Sequence, residues 1–396
     1  MRHEKLPFVE FVTLMALYVA LMAMSIDTIL PALFFIGQEF NVVNENRAQY
    51  IIGILFLGFT FGQILYGPMA DSFGRKITVY IGLAIFIIGN IFCLTAESFD
   101  MMLFGRFLQG FGAASPRIIS IAMTRDLYKG REMARVMSFI MTIFIIIPVI
   151  APSIGQSILL VASWRVIFMI FLAAAVIALV WTFVRLPETL KREDVRPFNL
   201  PTICKDFGIV ISNKITLGYA ICAGLVFGAL VGYLNSSRQI FQDYFEVGNS
   251  FPLYFALSAL SIGAASILNS MIVRRYGMKL ICNYALIITI IASAIFLPLT
   301  LQENPVLIWQ FMVYMMVTFF CMGLLFGNLN ALAMEPMAHY AGTASSVVGA
   351  LSSGISAVIG TMLGQAYNGT LTPMIGGFLL LSLCAFGFLF WLRKRV

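Results

Sequence analysis

The chain has 396 residues, of which 60% are hydrophobic and only 11% charged, with a formal net charge of +7. A water-soluble fold of this length cannot hide so much apolar surface, because surface grows steeply with mass, so the solvent over most of the chain is lipid. The positive balance would point to nucleic acid in a soluble protein; here it poses a question of topology, and no nucleic-acid partner is expected.

Twelve apolar segments are long enough to cross about 30 Å of hydrocarbon as helices. In chain order they cover 8–31, 47–68, 77–96, 102–124, 136–158 and 165–184, then 214–236, 252–273, 279–301, 306–332, 345–366 and 371–392. The first follows Met1 to Pro7 and is long enough to span the bilayer rather than to act as a cleavable leader. The longest polar stretch, Arg185 to Asn213 with Pro187, Pro197 and Pro201, separates the two sets. The expected organisation is an all-α membrane protein with a six-helix bundle over 1–184, a cytoplasmic linker over 185–213 and a second six-helix bundle over 214–396.

The charges orient these spans. With the N-terminus in the cytoplasm, the inner segments hold 20 of the 25 Lys and Arg residues, including Arg125, Lys129, Arg131 and Arg135 in one loop and Arg393, Lys394 and Arg395 at the end. The outer loops hold Arg47, Arg165 and Arg238 beside Glu39, Glu45, Glu97, Asp100, Asp243, Glu246 and Glu303. This is a positive-inside pattern with both termini cytoplasmic. Trp164, Trp181, Trp309 and Trp391 fall near predicted helix ends, where interfacial anchors belong.

Six cysteines are scattered without a CxxC pair, and the five in apolar stretches read as small buried hydrophobes; His3 and His339 are too few and too far apart for a metal site. No metal and no cofactor is expected. No Ser/His/Asp set and no phosphate-binding Gly-Lys-Ser/Thr loop is present, which argues against an enzyme and against ATP-driven transport.

A weak repeat is visible. The turn Asp71 to Lys76 (DSFGRK) follows the second span, and Arg274 to Lys279 (RRYGMK) follows the eighth, 203 residues later. Both are short, basic and built around a glycine, as expected of two parallel halves.

Four segments carry chemistry. Gly62 to Lys76 (GQILYGPMADSFGRK) ends a span with an acid, Asp71, beside a tight basic turn. A carboxylate is poorly placed at a helix C-terminus unless a cation such as Arg75 pairs with it. The plain alternative is positive-inside anchoring. Arg106 to Ala114 (RFLQGFGAA) puts an arginine inside the fourth span, at a cost of roughly 2.5–3.5 kcal/mol unless it meets a partner or water, or snorkels outward. Its small residues suit close helix packing. Ser25 to Leu33 (SIDTILPAL) holds Asp27, a carboxylate well inside a span, about as deep as Arg106. The two can form a fixed ion pair, or a pair that separates and lets the acid take up a proton. Pro148 to Gln156 (PVIAPSIGQ) supplies prolines that kink the fifth span.

These segments resemble the major facilitator superfamily, and within it the bicyclomycin-resistance (Bcr/CflA) group of drug:proton antiporters. Trp164-Arg165, Leu186 to Leu190 (LPETL) and Ala341 to Ser345 (AGTAS) extend the resemblance over nearly the whole chain. Ser72 stands where the group often has a basic residue, and Ala151 and Gln156 replace two glycines of the antiporter pattern, which leaves the direction of transport open. The resemblance implies a monomer in a bacterial inner membrane that exports drugs or amphipathic metabolites by proton-coupled alternating access. Asp27 and Arg106 would couple protons, and Gly67, Asp71, Gly74, Arg75 and Lys76 would latch the cytoplasmic face.

Candidate substrate contacts are Tyr18, Met22, Gln109, Arg117, Phe227, Tyr233, Asn235, Arg238, Asn328 and Asn330. Arg117 lies eleven residues after Arg106, about 20° around the same helix. Together with Arg238 it opens an alternative: a carrier dedicated to an anionic metabolite such as a carboxylate siderophore. Either arginine can equally be satisfied by a carbonyl or by an acid elsewhere.

Overall fold

The computed structural model describes residues 6–393, apart from 192, 194, 196, 197 and 303. His3, Pro197, Glu303, Lys394 and Arg395, used in the sequence reading, lie outside the described residues, as does the side chain of His339. Among the described residues fourteen α-helices form: α1 Phe8–Asp27, α2 Leu33–Glu39, α3 Tyr50–Phe73, α4 Arg75–Leu94, α5 Phe99–Leu127, α6 Gly130–Leu159 and α7 Arg165–Arg185; then α8 Leu200–Ser212, α9 Lys214–Gln239, α10 Phe251–Tyr276, α11 Met278–Phe296, α12 Ile308–Met334, α13 Ala341–Gln365 and α14 Thr372–Arg393. Among the described residues there is no strand.

Twelve of the fourteen have 19 residues or more, enough at 1.5 Å per residue to cross a bilayer. Among the described residues ten spans are also apolar enough by composition. α5 is not among them, since Arg106, Gln109 and Arg117 interrupt it, and in α6 the stretch Ile146–Leu159 forms a shorter apolar helix. Large apolar side chains point outward along these helices, with Phe183 71% and Met271 72% exposed. In water that would be untenable; against lipid tails it is the low-energy arrangement.

The first expected span is broken. α1 ends at Asp27, a short turn over Leu30–Ala32 contains Pro31, and α2 continues to Glu39. Proline has no N–H to continue the ladder, and its ring disfavours helical geometry before it, which fixes the break just past the acid. The polar stretch between the two sets is not wholly irregular either, since α8 forms within it and buries Val210 against Met337, Ala344 and Val347.

The chain divides into two compact units. One holds the chain up to Val43 with Ile54–Asp206; the other holds Asn44–Gly53 with the chain from Phe207 onward. In the first unit α4 packs along α5 and α7, and α1 along α5, α6 and α7. In the second unit α11 packs along α12 and α14, and α9 along α12, α13 and α14. Each packing of the first unit thus recurs one six-helix repeat later.

The turn glycines repeat as well. Gly74 (φ 101°, ψ 157°) caps α4 and Gly277 (φ 77°, ψ 152°) caps α11. A positive φ of this kind excludes a β-carbon at little cost only in glycine, so both turns demand it.

The segment Asn44–Gly53, expected with the first bundle, belongs to the second unit. Asn44 caps its turn by accepting from the Asn46 N–H at 3.0 Å. Within the second unit the Asn46 amide donates to the carbonyls of Gln365 (3.1 Å) and Tyr367 (2.8 Å). Gln239 donates to Asn46 Oδ1 at 2.8 Å, and Gln49 donates to Gln239 at 2.6 Å. Burial, with the nearby carboxylates Asp243 and Glu45, pushes the Tyr367 phenol up to about 12. The cysteines are all free; Cys93, Cys222, Cys282 and Cys321 are buried as expected, whereas Cys384 is exposed although it lies in an apolar span, and Cys204, in the polar stretch, is exposed too.

Candidate functional site

Asp27 is the last residue of α1 and is 4% exposed. Close packing encloses it. Gly155 of α6 lies so near the Thr28 carbonyl that a β-carbon would collide with it, and Ala151 packs with Ile147 against Ala23. The fifth span therefore keeps small residues where it crosses the break in α1, although two glycines of the antiporter pattern are replaced. Among the described residues the Asp27 carboxylate makes no hydrogen bond and no ion pair.

Arg106 is fully buried on α5, and among the described residues no ion pair joins it to Asp27, the pairing that the matching depths allow. Its Nη1 donates to Gln109 Oε1, one turn along its own helix, and its Nη2 donates to the Ser25 carbonyl at 2.8 Å. Gln109 Nε2 donates in turn to Asn90 Oδ1 on α4 at 2.8 Å, and Asn90 Nδ2 donates to the Phe86 carbonyl at 2.8 Å. The Phe168 ring of α7 lies 5.9 Å from the guanidinium carbon. Sequence reading missed Asn90. Its signal was available: an asparagine in the middle of an apolar span needs a partner.

Depth along the chain cannot choose between neutral acceptors and a carboxylate; helix rotation does. The other helical candidates are placed by the same local rules. Tyr18 is buried against α7, its hydroxyl 2.5 Å from Thr182 Oγ1, and Met22 is buried on the same helix. Arg117, half-buried, lies 5.3 Å from the Phe59 ring centroid on α3, so it and Arg106 reach different neighbours despite their similar angle.

In the second unit Tyr233 sits among Phe255 and Phe319, with centroids 5.7 and 4.8 Å away. Asn235 donates to the Gly360 carbonyl at 3.0 Å, and Phe227 meets Phe326 edge-on at 5.2 Å. Asn328 donates to Asn269 Oδ1 at 2.7 Å, whereas Asn330 is exposed and bonds only its own helix, to the Phe326 carbonyl. Arg238 is not the isolated cation that the sequence allowed. The turn Ile240–Tyr244 has π geometry, which brings residue i+5 round, and Asp243 lies 3.7 Å from Arg238.

The turn between α3 and α4 builds a second cluster, entirely within the first unit. Arg75 is 5% exposed and bridges Asp71 (2.5 Å) and Asp126 (3.1 Å). Glu188 accepts from the N–H groups of Arg75 and Lys76, both at 3.0 Å, and from those of Thr189 and Leu190, both at 2.9 Å. It therefore fills two of the open donors at the start of α4, where negative charge is favoured by the helix dipole. A β-carbon on Gly74 would lie 2.6 Å from the same carboxylate. Thr189 Oγ1 closes the cluster by donating to Asp126 at 3.0 Å, and Lys76 Nζ reaches the Phe183 carbonyl at 3.2 Å. Gly67, half-buried within α3, takes no part in these bonds. Asp126 and Glu188 were not singled out in the sequence as partners of Arg75, being 51 and 113 residues away.

One expected result follows. Asp71→Asn leaves Arg75 its bond to Asp126, so the protein should fold and insert normally while transport falls. Expression, thermal unfolding and vesicle uptake measured together decide it, and normal uptake at normal expression would reduce Asp71 to a structural detail.

Comparison with known proteins accords with this architecture. The family model of the Major Facilitator Superfamily matches residues 15–361. The chain is 28% identical over 395 residues to a bicyclomycin resistance protein homolog of Haemophilus influenzae, covering 98% of both chains. It is 24% identical to multidrug resistance protein D of Escherichia coli, covering 95% of both. Among solved structures the xylose transporter XylE of Escherichia coli shares the fold, with a TM-score of 0.74 at 12% identity over 97% of each chain. The chain belongs to the Major Facilitator Superfamily and is a multi-pass membrane transporter of small molecules, not an enzyme.

Proposed function

We propose that this protein exports drugs or small amphipathic metabolites across a bacterial inner membrane, with both termini cytoplasmic, as a monomer that couples alternating access to proton entry. The relatives named for bicyclomycin and multidrug resistance support the substrate class. The observation that carries proton coupling is Asp27, a buried carboxylate at the break in α1 that meets neither counter-ion nor donor among the described residues, while a buried arginine holds the carbonyl of Ser25 two residues before it. Such a carboxylate is costly to keep charged inside a bilayer, and a carrier that binds and releases a proton during its cycle uses that cost. Aromatic and methionine side chains, among them Met22 and Phe227, suit an adaptable apolar recognition surface.

The test is uptake into inverted vesicles, with and without an inward-acid pH gradient, across cationic, neutral and anionic compounds. Gradient-dependent uptake of cationic or neutral amphiphiles is the expected result; uptake indifferent to the gradient removes the coupling. The same panel settles the anionic alternative, to which the Arg238–Asp243 contact gives no support. Arg117→Ala and Arg238→Ala should lower uptake of all compounds to a similar extent, and a selective loss of anionic ones would revive that alternative.

A further inference from the structure

We propose that Gln109 and Asn90 form a parking site for the Arg106 guanidinium, which alternates during transport between this neutral site and the Asp27 carboxylate. The proposal rests on the proton-coupling reading above and assigns it two positioning residues. Four observations carry it, all within the first unit.

First, the hydrogen-bond chain has a fixed direction. The Phe86 carbonyl can only accept, so it holds Asn90 with its Nδ2 toward α4 and its Oδ1 toward Gln109. Asn90 Oδ1 then takes Gln109 Nε2, which leaves Gln109 Oε1, an acceptor, aimed at Arg106. A flipped Gln109 would point an NH₂ at a guanidinium that has donors only, so Asn90 is what keeps the dock receptive.

Second, the row is dry. Asn90, Arg106, Gln109 and Ser25 are all fully buried, so water does not compete for the guanidinium.

Third, the parked arginine is already next to its alternative. Its Nη2 holds the Ser25 carbonyl, two residues before Asp27 on α1, about 3 Å of helical rise. Exchange therefore needs reorientation of one side chain and a small change in α1, whose helix ends at this point.

Fourth, the dock is neutral. An amide and a carbonyl satisfy the donors of a cation without neutralising it, whereas Asp27 would do both, so the choice between sites depends on whether Asp27 is charged. When Asp27 takes up a proton it loses its hold on Arg106, and the dock receives the guanidinium; when the proton leaves, the carboxylate reclaims it.

The surroundings leave few other charges to confuse the exchange. From α4 the titratable group facing Arg106 is Cys93, and α1 presents Tyr18 besides Asp27. In sequence α6 has no ionisable residue between Arg135 and its end, α7 none between Arg165 and Arg185, and α3 only Tyr50, Tyr66 and Asp71.

The test is an infrared titration of purified, lipid-reconstituted protein, reading the carboxylic acid band that Asp27→Asn removes in each background; no substrate is needed. Gln109→Leu abolishes the dock, so Arg106 stays with Asp27 and the band should titrate at lower pH, by tenfold or more in proton affinity. Gln109→Glu gives the dock a charge, holds Arg106 away and should move the band to higher pH. Asn90→Ala should shift it as Gln109→Leu does, but less. Shifts of the same sign for Gln109→Leu and Gln109→Glu, or none for either, overturn the proposal, because a merely structural role predicts no opposite signs. Should Gln109→Leu not assemble, Gln109→Met takes its place against Gln109→Glu. The underlying reading fails separately: Asp27→Asn would then remove no band and would leave gradient-driven uptake intact.

Discussion

Asp27→Asn should bring gradient-driven uptake down to the level of vesicles without a gradient, while binding of a substrate to the purified protein survives. Asparagine keeps the size and shape of the protonated acid and cannot ionise, so the carrier is held in one protonation state throughout the cycle. The site tolerates this well. The carboxylate makes no hydrogen bond or ion pair among the described residues, so the amide forfeits none, and the close crossing of Gly155 on the Thr28 carbonyl is untouched. Folding should therefore be close to normal, with loss of an uncompensated buried charge if anything stabilising. The measurement is paired: equilibrium binding by tryptophan fluorescence or calorimetry, and uptake with an imposed pH gradient. Full gradient-driven uptake in the variant would mean that the coupling acid lies elsewhere. Loss of binding together with uptake would make Asp27 a substrate contact instead.

The largest structural effect is expected from Gly110→Leu. Gly110 of α5 faces the backbone of α3 so closely that a β-carbon would collide with the Leu55 carbonyl oxygen and lie 2.8 Å from its carbon. The obstacle is backbone in the middle of a helix, which cannot rotate aside as a side chain can. Nearby contacts repeat the constraint, since Gly58 and Gly62 of α3 lie as tightly against the backbone of α5 at Phe107 and Phe111. Forcing the helices apart along this seam removes packing that lipid-embedded helices depend on for association. Overpacking should cost about 3 kcal/mol, read as a large drop in thermal midpoint and poor recovery from detergent. Gly208→Leu on α8 is the control, for a β-carbon there meets nothing within 4 Å and the midpoint should hardly move. A wild-type midpoint for Gly110→Leu would show that the α3–α5 crossing yields more easily than its geometry allows.

Much of this protein is written in its sequence. A stretch of some twenty apolar residues has essentially one fate in a bilayer, because every backbone donor must be satisfied within the segment, so the long helices were legible one by one. The glycine turns at Gly74 and Gly277 were legible too, since a basic turn between two spans leaves few backbone solutions, and both adopt the same positive-φ conformation. The Asp71–Arg75 pair, four residues apart, follows from local spacing. Membership of the superfamily rests on the same local motifs.

What the tertiary structure alone decided is which polar groups meet. Asp27 and Arg106 have matching depth in the sequence, yet the rotation of α5 against α1 and α4 gives the arginine to Gln109 and the Ser25 carbonyl. Glu188 reaches the start of α4 across more than a hundred residues, and Asn44–Gly53 joins the second unit although the chain on either side of it belongs to the first. Arg238 meets Asp243 where the end of α9 widens into a π turn. Length and hydropathy are sums over neighbouring residues and survive any change in packing. A hydrogen bond is lost over an ångström or a rotation of a few tens of degrees, and the helix rotations that set it are fixed by packing of the whole bundle.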